Sequence, residues 1–75
     1  MKIRDMVIEV IATELDTDAI SEGSSLDELG VESRHLLEIA MATEERFGIE
    51  VPDAALARFR TVDDVINYVQ SRVGR

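Results

Sequence analysis

Apolar positions along the chain recur at helical spacing. Ile3, Met6, Val7, Val10, Ile11 and Leu15 repeat at intervals of three and four, with Asp5, Glu9 and Thr13 on the other side, which predicts an amphipathic helix over residues 3–15. Residues 16–32, DTDAISEGSSLDELGVE, are rich in turn formers, yet Ile20, Leu26, Leu29 and Val31 recur among them as apolar pegs. This predicts a long loop pinned to the core, and loops of that length in small domains tend to be functional. A second helix is predicted to start at Ser33, with the serine as N-cap, and to end at Phe47, where Gly48 supplies the left-handed residue that terminates helices. On its wheel Leu36, Ala40 and Phe47 form the buried stripe, Ile39 and Leu37 flank it, and Arg34, Glu38, Met41, Ala42 and Glu45 face outward. Pro52 and Asp53 open a short helical piece, PDAALARF. Thr61 caps a last helix, with Asp64 in capping-box relation and Val62, Val65, Ile66, Val69 and Val73 in one stripe. Ile49 and Val51 alternate briefly, but no strand pattern competes. The expected fold is all-α, a four-helix bundle with three longer helices, a short third helix and a long loop between the first two.

Composition narrows the function. At 75 residues the chain is expected to be a single domain over 1–75 with a thin core, and a core of this size supplies only ~3–5 kcal/mol. A large catalytic cavity is hard to accommodate there, so no catalytic residues are expected. Cysteine is absent and His35 is the one histidine, which excludes disulfides and a thiolate metal site and leaves no expected metal. No apolar run approaches the ~20 residues that span a bilayer, and the first residues lack a signal-peptide cleavage pattern, so a cytoplasmic monomer without membrane contact is the expectation.

Charge is unevenly spread. Residues 1–50 hold thirteen acids against four bases, residues 51–75 three against four, and Glu14 to Glu32 contains seven acids and no base. Such a surface repels phosphate backbones, which argues against nucleic acid, and it suits basic protein surfaces.

Ser33 invites a test as a nucleophile. His35 lies only two residues away, and i, i+2 side chains do not face each other on a helix. The consistent roles are a plain N-cap, or a hydroxyl acceptor beside a helix N-terminus whose free N–H groups favour an anionic substituent. Asp16-Thr17-Asp18 begins like a calcium-binding loop, but Ile20 and Ser21 occupy positions where that loop needs a ligand and a glycine.

The stretch DELGVESRHLLEIAMATEERFGIEVPD resembles the core of acyl carrier proteins, where a Leu-Gly-x-Asp-Ser-Leu motif presents the serine that accepts 4'-phosphopantetheine from coenzyme A. The resemblance covers essentially the whole chain. Leu29 and Gly30 match the motif start, Ser33 the modified serine, and Glu38, Met41, Glu44 and Glu45 the acidic recognition helix. Phe47-Gly48-Ile49 and Val51-Pro52-Asp53 match the following turn, and Thr61-Val62 and Tyr68-Val69 the last helix. It implies a non-catalytic carrier, loaded at Ser33 by a phosphopantetheinyl transferase, whose thiol-bound acyl groups pass to enzymes such as acyltransferases and ketosynthases with basic docking patches. Contacts are expected at Glu38, Glu44 and Glu45, with Leu37 and Met41 adding apolar area and Glu32 and Arg34 flanking the serine. Three departures stand out: Glu32 replaces the motif aspartate, Arg34 the leucine, and His35 a position often acidic. The last two favour a specialised polyketide-type pathway, as in antibiotic biosynthesis, over housekeeping fatty acid biosynthesis. An unmodified acidic adaptor is the alternative from another class. Peptidyl carriers often show a second glycine where this chain has Val31.

Overall fold

The computed structural model describes residues 2–73. Four helices follow one another: α1 (Ile3–Leu15), α2 (Ser33–Phe47), α3 (Asp53–Leu56) and α4 (Val62–Val73). The apolar periodicity becomes the core directly, since Val7 and Ile11 of α1, Ile39 of α2 and Val62, Val65, Ile66 and Val69 of α4 bury together with Leu26 from the loop. α1 packs against both α2 and α4, and α3 against α2. The expected bundle and its short third helix are present. Among the described residues no helix is long and apolar enough to cross a membrane.

Helix ends follow from local chemistry. α1 stops at Asp16, which adopts the left-handed conformation (φ 56°). α2 stops at Gly48 (φ 67°), whose N–H donates to the Glu44 carbonyl at 2.8 Å. At the start of α4 the capping box is complete: the Asp64 carboxylate accepts from the Arg60 and Thr61 N–H groups (2.8 and 3.1 Å), and the Asp64 N–H donates to Thr61 Oγ1 (3.2 Å).

Three features differ from the sequence expectation. Glu32, not Ser33, is the N-cap of α2, because the first intrahelical bond runs from the Leu36 N–H to the Glu32 carbonyl (3.0 Å) and leaves Ser33 as the first helical residue. The buried face of α2 centres on Ile39, Ala40 and Thr43, with Leu36 and Phe47 half-buried and Leu37 turned outward. Thr43 is accommodated there because its hydroxyl donates to the Ile39 carbonyl (2.7 Å), so no polar group is stranded. The third helix is only four residues long, since after it the N–H groups of Arg58 and Phe59 reach back three residues, to Ala55 and Leu56, and tighten the chain. Phe59 then meets Tyr68 edge to face, with ring centroids 5.7 Å apart.

The long loop is fastened by more than its pegs. Ser25 and Thr61 form an isolated antiparallel bridge, in which the Leu26 N–H donates to the Arg60 carbonyl (2.9 Å) and the Val62 N–H to the Ser24 carbonyl (3.0 Å). Leu26 is thereby driven into the core. The same Arg60 is held by Asp64 through its N–H, so one carboxylate supports both the start of α4 and the seat of the loop. Asp64→Ala is expected to cost about 1–2 kcal/mol, the upper range of a lost cap, read as a lower urea midpoint at an unchanged m-value.

Candidate functional site

The loop delivers the chain to α2 through Gly30, which takes a positive φ of 79°. Its N–H donates to the Asp27 carbonyl and the Val31 N–H to the Leu26 carbonyl, both at 3.0 Å. A side chain at Gly30 would meet no atom, so the requirement for glycine is conformational. Glu32 then runs extended (φ −98°, ψ 172°) and the helix starts at once.

Ser33 stands exposed at this junction. The chain has five serines, and the other four hydroxyls are engaged. Ser21 and Ser24 bond each other (3.2 Å), Ser25 Oγ accepts the Glu28 N–H (3.3 Å), and Ser71 donates to the Tyr68 carbonyl (2.7 Å). Ser33 alone makes no side-chain hydrogen bond among the described residues. Its neighbours bond around it: the Glu32 N–H donates to His35 Nδ1 (3.1 Å), and Arg34 Nε lies 3.5 Å from Glu32 Oε1 in an exposed ion pair. His35 therefore enters as a hydrogen-bond acceptor. Ser33 and His35 do not form a nucleophile–base pair, because the Nδ1 lone pair is already occupied by a backbone amide.

Further along α2, Leu37 and Met41 are the large apolar side chains that remain uncovered, at 52% and 65% exposure. Met41 lines an open depression with Glu38, Ala42, Glu44 and Glu45, and α1 contributes Glu14 to the same surface. Glu14 had no local signal, since its place beside α2 depends on how two helices meet. Glu44 also serves the fold, since its Oε2 accepts the Val51 N–H at 2.7 Å and ties the turn after α2 back onto the helix. Glu32 and Arg34, both highly exposed, border Ser33.

A family model described as a phosphopantetheine attachment site matches residues 2–69. The chain belongs to the acyl carrier protein family. It is 41% identical over 64 residues to an acyl carrier protein of Thermobifida fusca, covering 85% of this chain and 81% of the relative. An acyl carrier protein of Zymomonas mobilis is 37% identical over 68 residues (91% and 86% covered), and one of Bdellovibrio bacteriovorus 35% identical over 72 (95% and 90%). The carrier is therefore non-catalytic and takes a 4'-phosphopantetheine group, with a phosphopantetheinyl transferase and acyl-processing enzymes as the general class of partner. The residues present fit that group, because esterification requires an accessible, uncommitted hydroxyl and Ser33 supplies one.

Proposed function

We propose that Ser33 is the attachment residue, and that this carrier presents acyl thioesters to enzymes of a specialised polyketide-type pathway. The observation that carries the attachment assignment is the free hydroxyl: among the described residues, Ser33 is the one of five serines whose side chain makes no hydrogen bond, and it also stands on the first turn of a long helix. In loading, Ser33 Oγ forms a bond to phosphorus of coenzyme A, the hydroxyl proton is lost, and the adenosine bisphosphate portion leaves. The amides of the first turn precede the first intrahelical bond, so their N–H groups and the helix dipole favour the anionic phosphodiester. The bound group supplies a terminal thiol that holds the acyl chain as a thioester. The chain's own contribution is placement, since a flexible tether on a rigid helix raises the effective concentration of cargo without tight binding. Arg34 and His35, where the family motif has other residues, support the specialised pathway, because they alter the surface that each enzyme meets around Ser33.

Incubation with coenzyme A and a broad-specificity transferase tests the attachment. Peptide mapping is expected to place one phosphopantetheine mass on the fragment containing Ser33; no added mass would leave the adaptor reading. Mass measurement of the protein from its own cells would identify the cargo and test the pathway.

The outward face of α2 fits a basic partner surface. Glu38, Glu44, Glu45 and Glu32 supply charge, Arg34 borders the serine, and Leu37 and Met41 supply apolar area. Steering by exposed charges acts mainly on association rate and falls with salt. Glu38→Lys combined with Glu45→Lys is expected to lower kcat/KM for loading roughly tenfold or more at low ionic strength. The difference from the parent should shrink as salt is added; a salt-independent loss would point instead to a misfolded helix.

A further inference from the structure

We infer that His35 is the positioning residue for loading of the carrier, an inference that rests on Ser33 being the attachment residue. The bond from the Glu32 N–H to His35 Nδ1 (3.1 Å) closes a ring across Ser33 and Arg34. It spans the point at which extended chain becomes helix, so it fixes the direction in which the Ser33 side chain leaves the backbone. Serines at helix starts usually spend their own hydroxyl on capping. Here Ser33 lies one position inside the cap, and His35, the third helical residue, satisfies the Glu32 amide with its ring. The Ser33 hydroxyl is left for chemistry.

The third position of a capping box calls for an acceptor, usually Glu or Gln. An imidazole meets that need only through an unprotonated nitrogen, so the bond assigns the ring proton of His35 to Nε2. His35 is half-buried while Glu32, Ser33 and Arg34 are exposed, so in this segment its ring has the most protein around it. The Arg34–Glu32 ion pair is no substitute, because both side chains are about 70% exposed and a pair of that kind holds a backbone weakly. Upstream, the chain is fixed by the Val31 N–H to Leu26 carbonyl bond. Between that bond and the first turn of α2, Glu32 is held at its carbonyl by the Leu36 N–H (3.0 Å) and at its own N–H by the His35 ring, the contact nearest the entry to the helix.

Removing the imidazole leaves α2 anchored by Ile39, Ala40 and Thr43 and the Glu32 carbonyl bonded to Leu36, but it frees the Glu32 N–H and so loosens the turn that carries Ser33. The hydroxyl then spreads over several orientations, and phosphoryl transfer slows even when the transferase is saturated. Docking through the later turns of α2 is unaffected.

The experiment compares loading kinetics of the full chain with coenzyme A and a broad-specificity transferase for the parent, His35→Ala, His35→Gln and Ser33→Ala. His35→Ala is expected to lower kcat roughly tenfold, in keeping with the cost of a misplaced reacting atom, with KM for the carrier changed by less than about twofold. His35→Gln, whose amide oxygen accepts the same N–H, is expected to restore kcat close to the parent. Nitrogen NMR of the parent should show Nδ1 as the unprotonated ring nitrogen. An unchanged kcat in His35→Ala, an equal loss in His35→Gln, a loss confined to KM, or a protonated Nδ1 in the neutral ring would each overturn the inference. Ser33→Ala separates the two readings: loading that persists there overturns the attachment assignment itself, whereas loading abolished there and undiminished in His35→Ala overturns the positioning role alone.

Discussion

Ser33→Ala is expected to remove loading completely while leaving the fold as it is. Ser33 is exposed and its hydroxyl makes no hydrogen bond among the described residues, and alanine is the best helix former, so the substitution should shift stability by no more than about 0.5 kcal/mol. The chemical effect is absolute because the oxygen that would bond phosphorus is gone. No other serine is placed to replace it: Ser21, Ser24 and Ser25 lie in the fastened loop and Ser71 is bonded late in α4. Intact-mass measurement after incubation with coenzyme A and transferase should show the variant unaltered and the parent heavier by one phosphopantetheine. An equal mass gain in both would remove the foundation of the proposed function.

Ile11→Ala is expected to have the opposite character, with the largest effect on stability. Ile11 is fully buried in the shared core beneath α2 and α4. Truncating a side chain of this kind costs about 2–5 kcal/mol through lost transfer energy and the cavity left behind. A single core of this size supplies only ~3–5 kcal/mol in total, so the variant should be largely or marginally unfolded at room temperature. Far-ultraviolet circular dichroism with a urea titration measures this directly. Met41→Ala provides the contrast, since 65% of that side chain is already in solvent and its loss should leave the urea midpoint in place. A variant at position 11 as stable as the parent would mean the helices meet differently.

Much of this arrangement is legible in the residue pattern, and the misses have physical reasons. The stripes of α1 and α4 repeat without interruption, and Gly48 and the Thr61–Asp64 pair mark the end of α2 and the start of α4 by backbone chemistry that needs no tertiary context. Glu32 and Ser33 are adjacent capping candidates, and only the position of the first accepted hydrogen bond separates them. Thr43 reads as polar until its hydroxyl is seen to be satisfied by Ile39 on its own helix. The bridge between Ser25 and Thr61 joins distant parts of the chain and leaves no periodic trace. At the candidate site, Ser33 stands out through the carrier-like motif around it, since its turn and helix alone also fit a plain N-cap, while the exposed Met41 among carboxylates is visible on the helical wheel. The freedom of the Ser33 hydroxyl is not, because it is known only once the bonds of the other four serines are known. The same holds for His35, whose acceptor role depends on a ring orientation.

The backbone bridge between the long loop and α4 bears on how cargo travels. With Leu26 sunk in the core and its amide clasped by Arg60, the segment leading to Ser33 cannot swing as a hinge. With Ser33 as the attachment residue, as proposed, excursion of the thioester is the business of the prosthetic group, pivoting about a stationary mount. Each enzyme in turn meets the same rigid footing, and the distance at which a visiting catalytic centre can be served is set by the length of the tether.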